Sequence, residues 1–92
     1  MALYWIGYDL DKPGQDYSDL IDRLRELGAR CVLLSDWLLV NAATAVQIRD
    51  DLDRFLDNND RIIVAELKGQ AAWRNLLLAS DDVKRLFENH AS

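Results

Sequence analysis

The first predicted strand limits the possible folds more than any other segment of the chain. From Ala2 to Leu10 the sequence is apolar on both of its alternating faces. One face carries Leu3, Trp5 and Gly7, and the other carries Tyr4, Ile6 and Tyr8. A strand that is apolar on both faces usually lies inside a sheet that is covered on both sides. We therefore expect this strand in the middle of a sheet.

A turn and a helix follow this strand. The turn is predicted at Asp11-Lys12-Pro13-Gly14, because proline and glycine interrupt regular structure. The helix is predicted from Tyr17 to Leu27, where apolar residues recur at helical spacing and form one stripe. Asp16 is the predicted N-cap, and Gly28 can supply the left-handed residue that follows a helix end.

The middle of the chain predicts a hairpin followed by a second helix. Two short apolar runs, Arg30 to Leu34 and Trp37 to Asn41, are separated only by Ser35-Asp36. Thr44 and Gln47 then have the spacing of a capping box, which marks the start of a helix. The order so far is strand, helix, strand, strand, helix.

A fourth strand completes a recognisable order of elements. It is predicted at Ile62 to Ala65, and a terminal helix is predicted at Ser80 to Asn89, while residues 71–78 stay ambiguous. The order β-α-β-β-α-β is that of a ferredoxin-like α/β (α+β) sandwich, with an antiparallel sheet and both helices on one face. The predicted core consists of Ile6, Leu20, Leu24, Ile48, Leu52, Phe55 and Ile63.

The second face of the sheet needs a cover that the two predicted helices do not supply. We expect residues 1–70 to form the ferredoxin-like domain and residues 71–92 to form a helical tail. That tail packs either on the same domain or on a dimer partner, so that Trp5 or Tyr4 is covered. A chain of 92 residues buries a modest core, and self-association would add to it. The sequence therefore favours a homodimer.

The composition bears on location and on nucleic-acid binding. The single cysteine, Cys31, allows no internal disulfide and is predicted to be a buried strand thiol, which fits a reducing cytoplasm. No apolar run approaches the roughly 20 residues needed to span a membrane. The formal net charge is −5, and an acidic domain repels phosphates unless its cations cluster. The candidate cations Arg23, Arg25 and Arg30 could form such a cluster, but the carboxylates of Asp19, Asp22 and Glu26 alternate with them.

Asp9 and Asp11 are the candidate site residues. They are two apart, so they lie on one side of an extended chain, where a carboxylate pair could hold Mg²⁺. The alternative is that both aspartates cap the turn at Pro13-Gly14. No cofactor is expected unless this pair binds Mg²⁺ or Mn²⁺. Three further side chains are candidates, namely His90 as a base, and Trp73 with Arg74 as a stacking and phosphate-binding pair.

Three segments carry a resemblance to a known family. The sequence resembles small Cas2-like proteins of the SinR family in three places: Tyr8-Asp9-Leu10-Asp11-Lys12-Pro13-Gly14-Gln15, the run from Thr44 to Asp50, and the run from Asn59 to Val64. The resemblance implies a ferredoxin-like dimer. Among wider relatives, Cas2 proteins and VapD toxins, some are metal-dependent nucleases, and the aspartate that ends their first strand corresponds to Asp9. The acidic segment after Asp9 and the Leu34-Ser35-Asp36-Trp37 segment depart from the Cas2 pattern.

Two functions of different classes follow from the sequence. The first is a noncatalytic dimeric interaction module with a possible protein partner, which fits the acidic charge and the doubly apolar first strand. The second is a divalent-metal-dependent endonuclease that cleaves RNA or DNA with Asp9, together with Asp11 as a metal ligand. The two differ in where the cations Arg23, Arg25, Arg30, Arg61 and Lys68 lie, because a nuclease needs a continuous basic surface around Asp9.

Overall fold

The structure is a computed structural model that describes residues 1–11 and 17–91. Its elements in chain order are β1 (Ala2–Asp9), α1 (Ser18–Glu26), β2 (Arg30–Leu33), β3 (Asp36–Asn41), α2 (Ala45–Asp53), β4 (Arg61–Glu66) and α3 (Ser80–His90). The predicted mixed α and β class is confirmed. Asp16 and the residues of the predicted turn from Lys12 to Gly14 lie outside the described residues.

The four strands form one antiparallel sheet in the order β2-β3-β1-β4. β1 pairs with β3 on one side and with β4 on the other, so its predicted position inside the sheet is confirmed. Gly7, near the end of β1, lies opposite Asp36 in β3 and opposite Ile63 in β4. This register brings residues from three strands together at one end of the sheet.

The sequence signals at the C-terminal end of α1 and at the N-terminal end of α2 are confirmed, whereas the N-cap of α1 is Tyr17, whose side chain makes no capping bond. Gly28 has a φ of 85°, its amide donates to the carbonyl of Arg25, and the amide of Ala29 donates to the carbonyl of Leu24, each at 3.0 Å. These two bonds form the Schellman motif that ends α1. At α2, the Thr44 hydroxyl and the Gln47 side chain each accept a hydrogen bond from the other residue's amide, as in a capping box.

The main core lies between the sheet and the helices α1 and α2. Its buried residues are Tyr4, Ile6, Leu20, Leu24, Ala29, Trp37, Leu39, Ile48 and Leu52. The predicted burial of Ile6, Leu20, Leu24, Ile48 and Leu52 is therefore confirmed. Phe55 is only partly buried against this core.

The predicted burial of Ile63 is wrong, since its side chain is 47% exposed. Successive side chains of a strand point to opposite faces. Ile62 and Val64 pack against the helix side of the sheet, so Ile63 between them points to the other side. The run Ile62 to Ala65 is apolar throughout, and its pattern therefore did not indicate which residues face the helices.

The tail of the same chain packs against part of the second sheet face. Leu3, Val32, Leu38, Val83 and Ala91 are buried there in a second cluster, with Leu67, Trp73, Leu76, Leu78, Leu86 and Phe87 packed around it. Residues 71–79 form neither a helix nor a strand, and the amide of Leu77 donates to the carbonyl of Val32 at 2.9 Å. The sheet thus lies between α1 and α2 on one face and α3 on the other.

No helix in residues 1–11 and 17–91 has both the length and the apolar character needed to cross a membrane.

Candidate functional site

A shallow cavity of about 310 Å³ lies on the tail side of the sheet, at the end of β1 that follows Trp5. Its lining includes Trp5, Gly7, Asp9, Asp36, Arg61 and Ile63, a set that we call the open patch. Odd-numbered residues of β1 and β4 share this face, because β1 residues from Tyr4 to Asp9 pair with β4 in an uninterrupted register. The tail packs around Leu3 and Leu38 instead.

Gly7 makes room for a hydrogen bond at the centre of the open patch. The indole Nε1 of Trp5 donates to Oδ1 of Asp36 at 2.7 Å. A Cβ atom on Gly7 would lie 2.8 Å from that oxygen and 3.0 Å from the Trp5 ring. The indole and the carboxylate can therefore meet above the strand only because position 7 has no side chain. This group was not predicted from the sequence, although a glycine inside a strand often marks such a close approach.

Asp9 and Arg61 form an ion pair at the edge of the open patch. They are opposite each other in the register of β1 and β4, and Nη1 of Arg61 lies 2.9 Å from Oδ2 of Asp9. Their side chains are 71% and 77% exposed, respectively. An ion pair this exposed contributes little to stability. Its main effect is to place one charge of each sign beside the apolar surface.

Asp11, the second predicted metal ligand, is an exposed residue just beyond β1. Its backbone amide donates to Oδ1 of Asp60 at 2.8 Å. The same carboxylate of Asp60 also accepts from the Tyr17 hydroxyl at 3.0 Å and from the Asp57 amide at 2.8 Å. Within the described residues, no three His, Cys, Asp or Glu side chains come together as a metal site would require. Metal binding by Asp9 and Asp11 stays a prediction.

The open patch combines an apolar floor, an indole, two carboxylates and one guanidinium. Such a mixture suits contact with another protein surface, where aromatic residues and arginine are enriched. No protein-family model matches this chain, and no solved structure matches it.

The cations singled out in the sequence are spread over several elements. Arg25 is exposed on α1, and the ion pairs of the others are Arg23 with Asp51 and Glu26, Arg30 with Asp82, Arg61 with Asp9, and Lys68 with Glu66. The hydrogen bond from Arg23 holds the pKa of Asp51 below its usual range. Helix α1, which carries Arg23 and Arg25, packs on the sheet face opposite the open patch. These five cations therefore form no continuous basic surface around Asp9.

Of the remaining candidate side chains, Cys31 and Trp73 have structural contacts, and Arg74 is exposed. Cys31 is partly buried, its thiol donates to the carbonyl of Leu33 at 3.1 Å, and burial raises its pKa, so the unreactive thiol form prevails. Trp73 donates from Nε1 to the hydroxyl of Ser80 at 3.1 Å and stacks on Phe87 with ring centroids 5.7 Å apart. His90 is the last residue of α3. Cys31 and Trp73 thus take part in packing.

We expect Gly7→Ala to lower the free energy of unfolding by about 1–3 kcal/mol, because the added methyl group must displace Trp5 or Asp36. Urea denaturation followed by tryptophan fluorescence measures this change. In a Trp5→Phe background the same substitution should cost less, since the hydrogen bond to Asp36 is already absent. Glycine normally weakens a strand, so an unchanged or higher stability in Gly7→Ala would contradict the close approach described above.

Proposed function

We propose that this protein is a noncatalytic dimeric interaction module with a ferredoxin-like architecture, similar to small Cas2-like proteins. The order of the elements supports that architecture, because two βαβ halves whose strands are arranged β2-β3-β1-β4 are typical of ferredoxin-like sandwiches. The fold alone supports many functions, so the argument for this one depends on the surface.

The observation that carries the proposal is the open patch. Ile63 is 47% exposed at its centre, beside the partly buried indole of Trp5. Aromatic side chains are enriched in surfaces that contact another protein, so an indole beside the exposed Ile63 favours such a contact. The charges of Asp9 and Arg61 lie at the border of the open patch. Charges at the rim of an interface determine how the two surfaces align, so this pair would orient a bound partner.

The alternative is a divalent-metal-dependent endonuclease that uses Asp9. The accessible carboxylate of Asp9 at the end of β1 is the feature that favours it. Two features oppose it. Asp9 is already paired with Arg61, and Arg23, Arg30 and Lys68 are paired with carboxylates elsewhere on the described part of the chain, so a phosphate backbone would meet few free positive charges there. The acidic net charge of −5 acts in the same direction.

The experiment that tests the proposal measures mass and cleavage on the same purified protein. Light scattering at micromolar concentration should give the mass of a dimer. Incubation with labelled RNA and DNA in the presence of Mg²⁺ or Mn²⁺ should give no more cleavage than the Asp9→Ala variant does. Cleavage that depends on Asp9 would establish the nuclease instead.

The Asp9→Asn variant tests metal binding by Asp9 independently of any cleavage assay. Asparagine keeps an acceptor for Arg61 but is a poor ligand for Mg²⁺, so we expect neither the wild-type protein nor the variant to change its melting temperature when Mg²⁺ or Mn²⁺ is added. A cation that binds only the folded state must raise the melting temperature. A Mn²⁺-dependent rise in the wild-type protein that is lost in Asp9→Asn would contradict the proposal.

A further inference from the structure

The edge of β4 carries a row of outward backbone groups. The amide of Tyr8 donates to the carbonyl of Ser35, and the amide of Leu67 donates to the carbonyl of Leu3. Even-numbered residues of β1 therefore bond to β3, and odd-numbered residues bond to β4. It follows that the amides and carbonyls of Ile62, Val64 and Glu66 point away from the sheet. Within residues 1–11 and 17–91 these three residues have no backbone partner on that side.

The two edges of the sheet differ in how they are protected. At the β2 edge the register shifts between Cys31 and Leu33, and the tail caps the carbonyl of Val32 through the amide of Leu77. A bulge and a covering segment are common ways to block an edge strand from pairing. At the β4 edge the register with β1 is regular, and the run from Ile62 to Ala65 contains no charge, proline or glycine. This edge lacks those protections.

β4 is also incompletely covered by its own chain. Of the four strands described, it is the one with no buried residue, although its centre is β-branched. Ile62 and Val64 are only partly buried, together with Phe55 and Leu56 beside them on the helix side. A strand added along this edge would cover these side chains and would bond the outward amides and carbonyls at the same time.

We propose that a second copy of this chain pairs antiparallel with the β4 edge, with Val64 opposite Val64 on the two-fold axis. A two-fold axis perpendicular to the sheet makes paired strands antiparallel and keeps each face on its own side. Residues that lie opposite each other must then share a face. The axis therefore passes midway between one residue and the same residue of the second copy. The two residues at the centre of β4 that could lie at this axis are Ile63 and Val64. In both registers, residues whose backbone amides and carbonyls point outward lie opposite one another.

Charges beside β4 select the register centred on Val64. Asp60 precedes the strand, and its carboxylate accepts from the hydroxyl of Tyr17, which packs on the helix side of the sheet. Lys68 follows the strand with its ammonium 3.3 Å from the carboxylate of Glu66, an even-numbered residue of β4 on that same side. Centring on Val64 places Lys68 opposite Asp60 of the second copy, twice by symmetry. Centring on Ile63 would place Glu66 opposite Asp60, also twice. Opposite charges directly across two strands attract and like charges repel, so the Val64 register is the favoured one.

This inference rests on the proposed dimer, and it determines where the open patches of the two copies lie relative to each other. Pairing through β4 continues the sheet from one copy into the next. The two open patches then lie on the same face of that sheet, separated by the paired β4 strands. A partner protein would meet one extended surface formed by both copies.

Cysteine cross-linking in a Cys31→Ser background tests the register. Cα atoms directly opposite in a hydrogen-bonded pair are about 5.5 Å apart, within the range that a disulfide spans. Oxidation with diamide should therefore convert Val64→Cys into a covalent dimer and leave Ile63→Cys monomeric in denaturing gels, because Ile63 and its symmetry mate are offset along the strands. Efficient cross-linking of Ile63→Cys but not Val64→Cys would overturn the register.

Lys68→Glu tests the same register without new cysteines. It should raise the dissociation constant of the dimer about tenfold, because two attractive pairs become repulsive. Lys84→Glu on α3 makes the same change in net charge away from β4 and should leave the constant unchanged. A dimeric mass together with no effect of Lys68→Glu and no Val64→Cys cross-link would overturn this inference and leave the proposed function standing. A monomer at all concentrations would overturn both.

Discussion

Replacing Leu24 or Leu52 with alanine is expected to lower the free energy of unfolding by about 2–5 kcal/mol, through lost burial and the cavity left behind. Both side chains have no exposed surface, and they lie on α1 and α2, respectively, where the helices pack on the sheet. Urea denaturation followed by circular dichroism measures the change. This loss is a large part of the total stability of a small domain, which is commonly about 5–15 kcal/mol.

Leu34→Ala is the matched control for these two substitutions. The Leu34 side chain is 91% exposed between β2 and β3, so removing the same atoms should change the stability by less than about 0.5 kcal/mol. A loss below about 1 kcal/mol at both Leu24 and Leu52 would contradict the assigned inward faces of α1 and α2.

Helix ends and inward helix faces could be predicted because their signals are local. Gly28 adopts the left-handed conformation that glycine favours, and Thr44 and Gln47 satisfy each other's amides across one turn. Leucines at helical spacing in α1 similarly fix which side faces the sheet. None of these features depends on residues far away in the sequence.

Features that depend on the packing of distant segments could not be predicted in the same way. The continuously apolar strand β4 gives no alternation, so Ile63 was placed in the core although α2 packs over Ile62 and Val64 instead. The segment 71–79 follows the sheet without regular hydrogen bonding, and its course is fixed by contacts such as that of Leu77 with Val32. Its local sequence therefore indicated neither a helix nor a strand.

The candidate site was predicted only at its border. Asp9 was identified from its place at the end of the first strand, but its partner Arg61 is 52 residues away in the sequence. The contact of Trp5 with Asp36 above Gly7 likewise depends on the pairing of β1 with β3. The signal present in the sequence was Gly7, a glycine inside a strand with Trp5 before it and Tyr8 after it. That this glycine makes room for a contact between Trp5 and Asp36 can be seen only when β3 lies beside β1.

The tail determines how much of the second sheet face stays open for a partner. Its cluster around Leu3 and Leu38 covers one end of that face, and the open patch lies beyond it. The sequence left two possibilities for this cover, the tail and a second subunit. In the structure the tail covers the first end, so self-association through β4 would not compete with it for the same surface.

Val83→Asp should lower the free energy of unfolding by roughly 3–5 kcal/mol, because it buries a charge with no partner in an apolar cluster. Val83 has no exposed surface and lies on α3 against Leu3, Val32 and Leu38.

Lys84→Asp is the control, since it introduces the same residue one position later on the exposed side of α3. Two signals followed during urea denaturation, in a background that carries Trp5→Phe and Trp37→Phe, separate the possible outcomes: fluorescence from Trp73, which stacks on Phe87 of α3, and circular dichroism from the whole domain. If the tail is integral to the fold, both transitions should shift together to lower urea in Val83→Asp and stay close to wild type in Lys84→Asp. A fluorescence change alone, with the circular dichroism transition unmoved, would mean that the tail detaches from an otherwise stable sheet, and the second face would then be available to a partner along its whole length.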